Sequence, residues 1–210
     1  MAIKSILFGS EMIRAILEGH KICTRRKIDK DISNRFDVDS DGKVVAYIEQ
    51  ATGDSYKPEV MCKYQPGDIL YVRETWDYLE GWKIGDSGIA GQYFYRADGD
   101  HRPVSWRGPW QSSVHMSREA VRIWLLVTDV QVERLQNITV EDIRNEGITD
   151  DYKTYSQEYL ENLRTVSYPK VFAAIWDSAI KKSDRDCYGW AANPWVWKIT
   201  FRVCDKPEEK

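Results

Sequence analysis

Residues 120 to 135 carry the strongest β signal in the chain. Val121, Ile123, Leu125 and Val127 recur at every second position, and Val130 and Val132 continue the pattern after Asp129. Period-two alternation puts one face of a strand against a core, so a sheet must be built around this segment, as one bent strand or as two. The region 195–203 makes the same demand: Trp195, Trp197, Ile199, Phe201 and Val203 alternate and are expected to face inward. Shorter strands are expected at Ile3 to Phe8, at Lys43 to Ile48 after the Asp39-Ser40-Asp41-Gly42 turn, at Ile69 to Trp76 after Pro66-Gly67-Asp68, and at Gln92 to Arg96.

Helices are fewer. Gly9-Ser10 opens one whose apolar face is Met12, Ile13, Ile16 and Leu17, and Gly19 ends it. Thr139-Val140-Glu141-Asp142 has the spacing of a capping box, and the helix it starts should run to about Glu146, where Gly147 stops it. A third begins at Pro169, with Val171, Phe172, Ile175, Trp176 and Ala179 as its stripe. Strands that outnumber helices in this order suggest an α+β fold whose sheet curls into a mixed β-barrel flanked by helices. The chain of 210 residues suits one elaborated domain over 1–204, with long insertions at about 30–64 and 77–118 and a disordered charged tail at 205–210.

Charge and composition narrow the function. Thirty basic and thirty-three acidic residues give a net charge of −3, which disfavours a protein held to its partner by neutralising many phosphates. No stretch approaches the ~18 apolar residues of a membrane helix, and the N-terminus lacks the apolar core of a secretory signal, so a cytoplasmic protein with no membrane partner is expected. Cys23, Cys62, Cys187 and Cys204 form no C-x-x-C pair and the three histidines show no ligand spacing; free thiols, no metal and no cofactor are expected. Nine tryptophans are the compositional outlier. Most must be core, while Trp76, Trp106 and Trp110, in or beside the second insertion, could stack a base.

The segment Gly19-His20-Lys21-Ile22-Cys23-Thr24-Arg25-Arg26 is too charged for a core strand and reads as an exposed strand or extended loop. It places an amine and a hydroxyl three residues apart. On a regular strand they would face opposite ways, so they converge only if the chain bends, which Gly19 makes cheap. Converged, Lys21 could act as base on a Thr24 nucleophile, with Arg25 and Arg26 supplying the positive charge that lowers a lysine pKa. Glu146, at a helix C-terminus, is a carboxyl whose pKa should rise in a dry site. On spacing alone, a basic exposed strand whose Thr24 fills a β position is the preferred reading. Glu74 is a second candidate acid, otherwise a partner for Arg73 or Arg26.

These segments, with Pro66-Gly67-Asp68-Ile69-Leu70 and the Leu135-Gln136-Asn137-Ile138-Thr139 to Glu146 helix, occur in the order seen in ASCH domains of the PUA-like superfamily, which the chain resembles. Ser10-Glu11-Met12, Val72-Arg73-Glu74-Thr75-Trp76 and Asn193-Pro194-Trp195-Val196-Trp197 are similar to ASCH-type proteins of phages and prophages. The resemblance to bacterial N4-acetylcytidine amidohydrolases implies Lys21, Thr24 and Glu146 as catalytic residues. It implies a PUA-like barrel and hydrolysis of the N4-acyl amide of a cytosine nucleoside; separately, a monomer is expected, although the sequence does not fix the oligomeric state. Arg25, Arg26, Glu74 and Trp76 are the expected substrate-binding residues. The small-molecule nucleoside is the expected partner, with RNA as a further one. The alternative is a PUA-like module that binds RNA or a modified base without chemistry.

Overall fold

A computed structural model of the protein describes residues 1–84, 87–148 and 167–208, with only the backbone described at 82–84, 87–89 and 106. The fold is α+β. Its centre is a five-stranded sheet in the order β1-β6-β11-β12-β2, built from β1 (Ile3–Leu7), β2 (Cys23–Lys27), β6 (Ile69–Arg73), β11 (Trp124–Arg134) and β12 (Trp195–Cys204). β1 runs parallel to β6, and the other neighbours are antiparallel.

The segment with the strongest β signal is a single strand. Its pairing with β12 shifts register between Val127 and Asp129, a bulge that bends β11 without breaking it. The bend also restores the inward phase of Val130 after Val127, and both side chains are buried. β12 is covered on both sides. Trp195, Trp197, Ile199 and Phe201 enter the main core beside Ile6, Leu70 and Leu125. Val196, on the opposite face, packs with Leu135, Ile143, Phe172 and Trp176. The alternation holds except at its end, where Val203 is 56% exposed.

Two helices cover the β12 face that carries Val196: α3 (Val140–Asn145) and α4 (Tyr168–Ala179). Thr139 and Asp142 close the capping box reciprocally, and Gly147 adopts a φ of 90° that ends α3. On the other side α1 (Ser10–Leu17) buries Ile13, Ala15 and Ile16. Leu17 is exposed, so this stripe is centred one position earlier than expected. Gly19, with φ 78°, turns the chain from α1 into β2.

The insertions are structured. The first contains the short helix α2 (Lys30–Ser33) and a three-stranded sheet of β3 (Phe36–Val38), β4 (Val44–Ile48) and β5 (Ser55–Tyr56). Asp39 caps its first turn by accepting from the backbone of Asp41 and Lys43. The second pairs β7 (Trp76–Leu79) with β10 (Gln92–Tyr95), and β8 (Trp82–Ile84) with β9 (Ser87–Ile89). A last short helix, α5 (Arg185–Tyr188), precedes β12. Residues 205–208 follow β12 without regular structure, and 209–210 lie outside the described residues.

The central sheet is curled but not closed. β1 and β2 are its edges, with no ladder between them; instead Arg26 of β2 donates to the Leu7 carbonyl of β1 at 2.8 Å. No helix among the described residues is long and apolar enough to cross a membrane.

Candidate active site

The charged segment after Gly19 is largely buried, contrary to its reading as exposed: Lys21, Thr24 and Arg25 are 2, 3 and 4% accessible. Burial of so much charge requires matched partners. They come from residues more than a hundred positions away. Lys21 forms an isolated antiparallel bridge with Glu146, and Ile22 donates its backbone N–H to the Asn145 carbonyl. Both bonds tie the approach to β2 against the C-terminus of α3.

The geometry is that of an ion-pair cluster. Lys21 Nζ donates to Glu146 Oε2 at 2.7 Å and to the Glu146 carbonyl at 2.9 Å. Arg25 Nη1 reaches Glu146 Oε1 at 3.2 Å, and Arg25 Nε donates to Glu133 Oε1 at 2.6 Å. Lys198 closes the group by donating to Asp142 at 2.6 Å. Three cations thus face three carboxylates. Burial works against the Arg25 charge, but Glu146 and Glu133 outweigh it and raise its pKa. Burial likewise opposes ionisation of Asp142, yet Lys198 and the Thr139 amide hold its pKa below the usual range. One donor is left over. Arg25 Nη2 is buried without a hydrogen bond among the described residues; Asp142 Oδ2, at 3.3 Å, attracts it without bonding geometry.

Strand register explains how one short strand feeds both the cluster and a cleft. Directly opposed residues of an antiparallel pair share a face. Arg25 lies opposite Lys198, whereas Thr24 and Arg26 lie opposite Ile199 and Trp197. Arg25 therefore points with Lys198 toward α3, and Thr24 and Arg26 point to the main-core side. Because β2 is an edge strand, a cleft of about 240 Å³ along it draws on both faces: Thr24, Arg25, Arg26, Lys27 and Glu146 line it. Its opposite wall is apolar, made by Phe172, Ile175, Trp176, Ala179 and Ile180 on and just beyond α4.

Of the three expected catalytic residues, Thr24 and Glu146 line this cleft together. Lys21 does not; its ammonium lies behind Glu146 and 5.5 Å from the centre of the Phe8 ring. No hydrogen bond joins Lys21 to Thr24 among the described residues, since the amine is committed to Glu146. Arg25 reaches the cleft as a member of the cluster. Arg26 lines it but is held by Leu7 and by the Phe8 ring at 5.2 Å; burial lowers its pKa, partly offset by Tyr64 and Glu146. Cys23 is no rival nucleophile, because burial, reinforced by Glu146, pushes its thiol up to about 12.

Glu74 and Trp76 belong elsewhere. Glu74 is gripped by Arg122 at 2.8 and 3.0 Å, and the same guanidinium holds Asp98 and lies 3.9 Å over the Tyr95 ring. This network, buried at Glu74 and open to solvent at Asp98, joins the second insertion to the sheet; burial raises the Glu74 pKa against the pull of Arg122. Neither Arg73 nor Arg26 is its partner. Trp76 is buried in a third core with Met116, Val121 and Trp124, and Trp110 carries the Arg102 guanidinium at 3.8 Å. The side chain of Trp106 lies outside those described.

Sequence reasoning missed Glu133, Asp142 and Lys198 as charge partners and Phe172 and Trp176 as a cleft wall. The wall was visible as the α4 stripe, but a stripe does not reveal which of its members meets a gap in the packing. Among the described residues no group of His, Cys, Asp or Glu is arranged to hold a metal ion. No family model, curated protein or solved structure matches the chain.

Proposed function

We propose that the protein is an amidohydrolase that cleaves the N4-acyl amide of acylated cytosine nucleosides, yielding cytidine and a carboxylic acid. The proposal includes membership of the ASCH group and a PUA-like origin for the curled sheet. One observation carries it: a hydroxyl and a carboxylate, Thr24 and Glu146, share a cleft whose polar floor faces an apolar wall. The polar side suits a pyrimidine amide. The wall suits an acyl group and the ring face.

In this reading Glu146 takes the Thr24 proton as the hydroxyl oxygen attacks the acyl carbonyl. Arg25 Nη2, which makes no hydrogen bond among the described residues, stabilises the oxyanion that develops. Collapse breaks the C–N bond, and Glu146 returns the proton to the departing cytosine N4. Water then attacks the Thr24 ester, giving its proton to Glu146, and the acid leaves as Thr24 regains that proton. Lys21 is a positioning residue that fixes the Glu146 carboxylate from behind through the 2.7 Å bond. This differs from a neutral Lys21 acting directly on Thr24.

The test is incubation with N4-acetylcytidine or N4-benzoylcytidine and detection of cytidine. Thr24→Ser should retain turnover and Thr24→Ala should lose it by at least ~100-fold. An active Thr24→Ala variant would leave Thr24 only hydrogen-bonding the oxyanion, with water attacking directly. The balanced ion-pair cluster favours a second reading, a base-binding module without chemistry; binding of cytidine with no turnover of either substrate would select it.

A further inference from the structure

A second cavity, of about 430 Å³, continues from the end of β2. Lys27 lines the first cleft and Ile28, the next residue, lines the second, so the two meet at consecutive positions of one chain segment. Tyr188 forms the seam: its ring lies 4.0 Å from the Lys27 ammonium while it lines the second cavity. Lys30, Ser33, Asn34 and Arg134 supply the polar lining.

The charge state of this cavity is the reverse of the neighbouring cluster. There every cation meets a carboxylate. Here Lys30 and Arg134 form no ion pair among the described residues, nor does Lys27 at the seam; Lys30 has the Cys187 thiol beside it, which raises its pKa. Arg134 is pre-oriented, its guanidinium 4.1 Å over the Trp195 ring, and Nη1 spends a hydrogen bond on the Asn193 carbonyl. Among the described residues, the remaining donors of that planar group make no hydrogen bond. One carboxylate, Asp186, also lies on the wall and opposes an anion there. The two lining cations, Lys30 and Arg134, outnumber it. A concave site with a stacked arginine, a lysine, a hydroxyl and an amide has the donors that bind phosphate.

We propose that this cavity is a phosphate subsite, so that the cytosine enters the first cleft as part of a phosphorylated nucleoside, free or within a strand. The inference rests on the reading of the first cleft as the cytosine amide site. Lys27 and Lys30 are three residues apart, at most ~10 Å along the chain, so one nucleotide can span both cavities.

The experiment is calorimetric titration of the full chain with cytidine, cytidine 5′-monophosphate, and a trinucleotide with cytidine in the middle. The monophosphate should bind about tenfold more tightly than cytidine, and the advantage should shrink as salt is raised. In Lys30→Ala, an exposed position, and in Arg134→Gln the ratio should fall toward one, with the melting temperature of Lys30→Ala confirming its fold. A trinucleotide tighter than the monophosphate identifies a strand as the source; equality identifies the mononucleotide. Equal affinity for cytidine and its monophosphate overturns the subsite, even if N4-acetylcytidine is cleaved. A phosphate advantage without cleavage of any acylated substrate preserves the subsite and removes the amidohydrolase.

Discussion

Replacing Lys21 by Met tests whether the buried pair behind the cleft acts as a unit. Methionine keeps the length and apolar stem of lysine and deletes only the ammonium. Glu146 then loses two donors, at 2.7 and 2.9 Å, but keeps Arg25 at 3.2 Å. Removing one partner of a buried pair costs about 3–5 kcal/mol. The surviving arginine places the expected loss at the lower end, about 3 kcal/mol. With a urea m-value of about 2–3 kcal/mol/M, the unfolding midpoint should fall by about 1–1.5 M. Glu146→Gln alone leaves Lys21 and Arg25 partly unmatched, and the double variant should recover about 2 kcal/mol relative to the sum of the singles. A midpoint shift under ~0.3 M, or additivity within ~0.5 kcal/mol, would refute the idea that Lys21 holds Glu146 in place.

Gly147→Ala should destabilise by about 2–4 kcal/mol in the same assay, because an added Cβ meets Ala15 Cβ at 2.6 Å and Lys21 Cβ at 3.1 Å and the φ of 90° suits glycine. It should also depress turnover by displacing Glu146, the neighbouring residue. Asp142 has a folded pKa below its ordinary 3.8, so its stabilisation is complete above that value and is lost as pH falls through the folded one. The stability gap between wild type and Asp142→Asn should therefore close as pH falls below about 4, read by thermal melts; a pH-independent gap would assign it to capping alone. Alkylation of the native protein at pH 8 should label the half-buried Cys187 before the buried Cys23, as mass spectrometry of timed digests would show.

Local rules made most elements legible. The alternation of Leu125 to Val132 and of Trp195 to Phe201, the Thr139–Asp142 box and the turns at Gly19 and Gly147 depend on neighbours within a few residues, and each is found in place, whereas the strand expected from residue 120 begins only at Trp124 and Val121 packs in the third core. The site was legible only as a set of residues. Lys21 and Arg25 looked exposed because a strand of cations has no local means of neutralising itself, and the carboxylates that do so are 125, 121 and 108 residues distant. The same limit hid Arg122 as the partner of Glu74, 48 residues away. Periodicity reports which face is apolar, not what stands opposite it. Thus Trp76, a candidate ligand by position, became core, and Trp176, core by position, became a wall of the cleft.

The separation of Lys21 from Glu146 also sets an order of events at the ribosome. At 5–20 residues per second, Glu146 is synthesised roughly 6–25 s after Lys21, and β12, the strand on which β2 pairs, comes later still. For that interval β2 is a cationic ribbon with nothing to lie against. Its run Thr24 to Lys27 carries three cations, whose desolvation without a partner is costly, so it should stay hydrated until those partners are made. The charges that later assemble the cleft thus serve first to keep an unfinished edge soluble and unpaired.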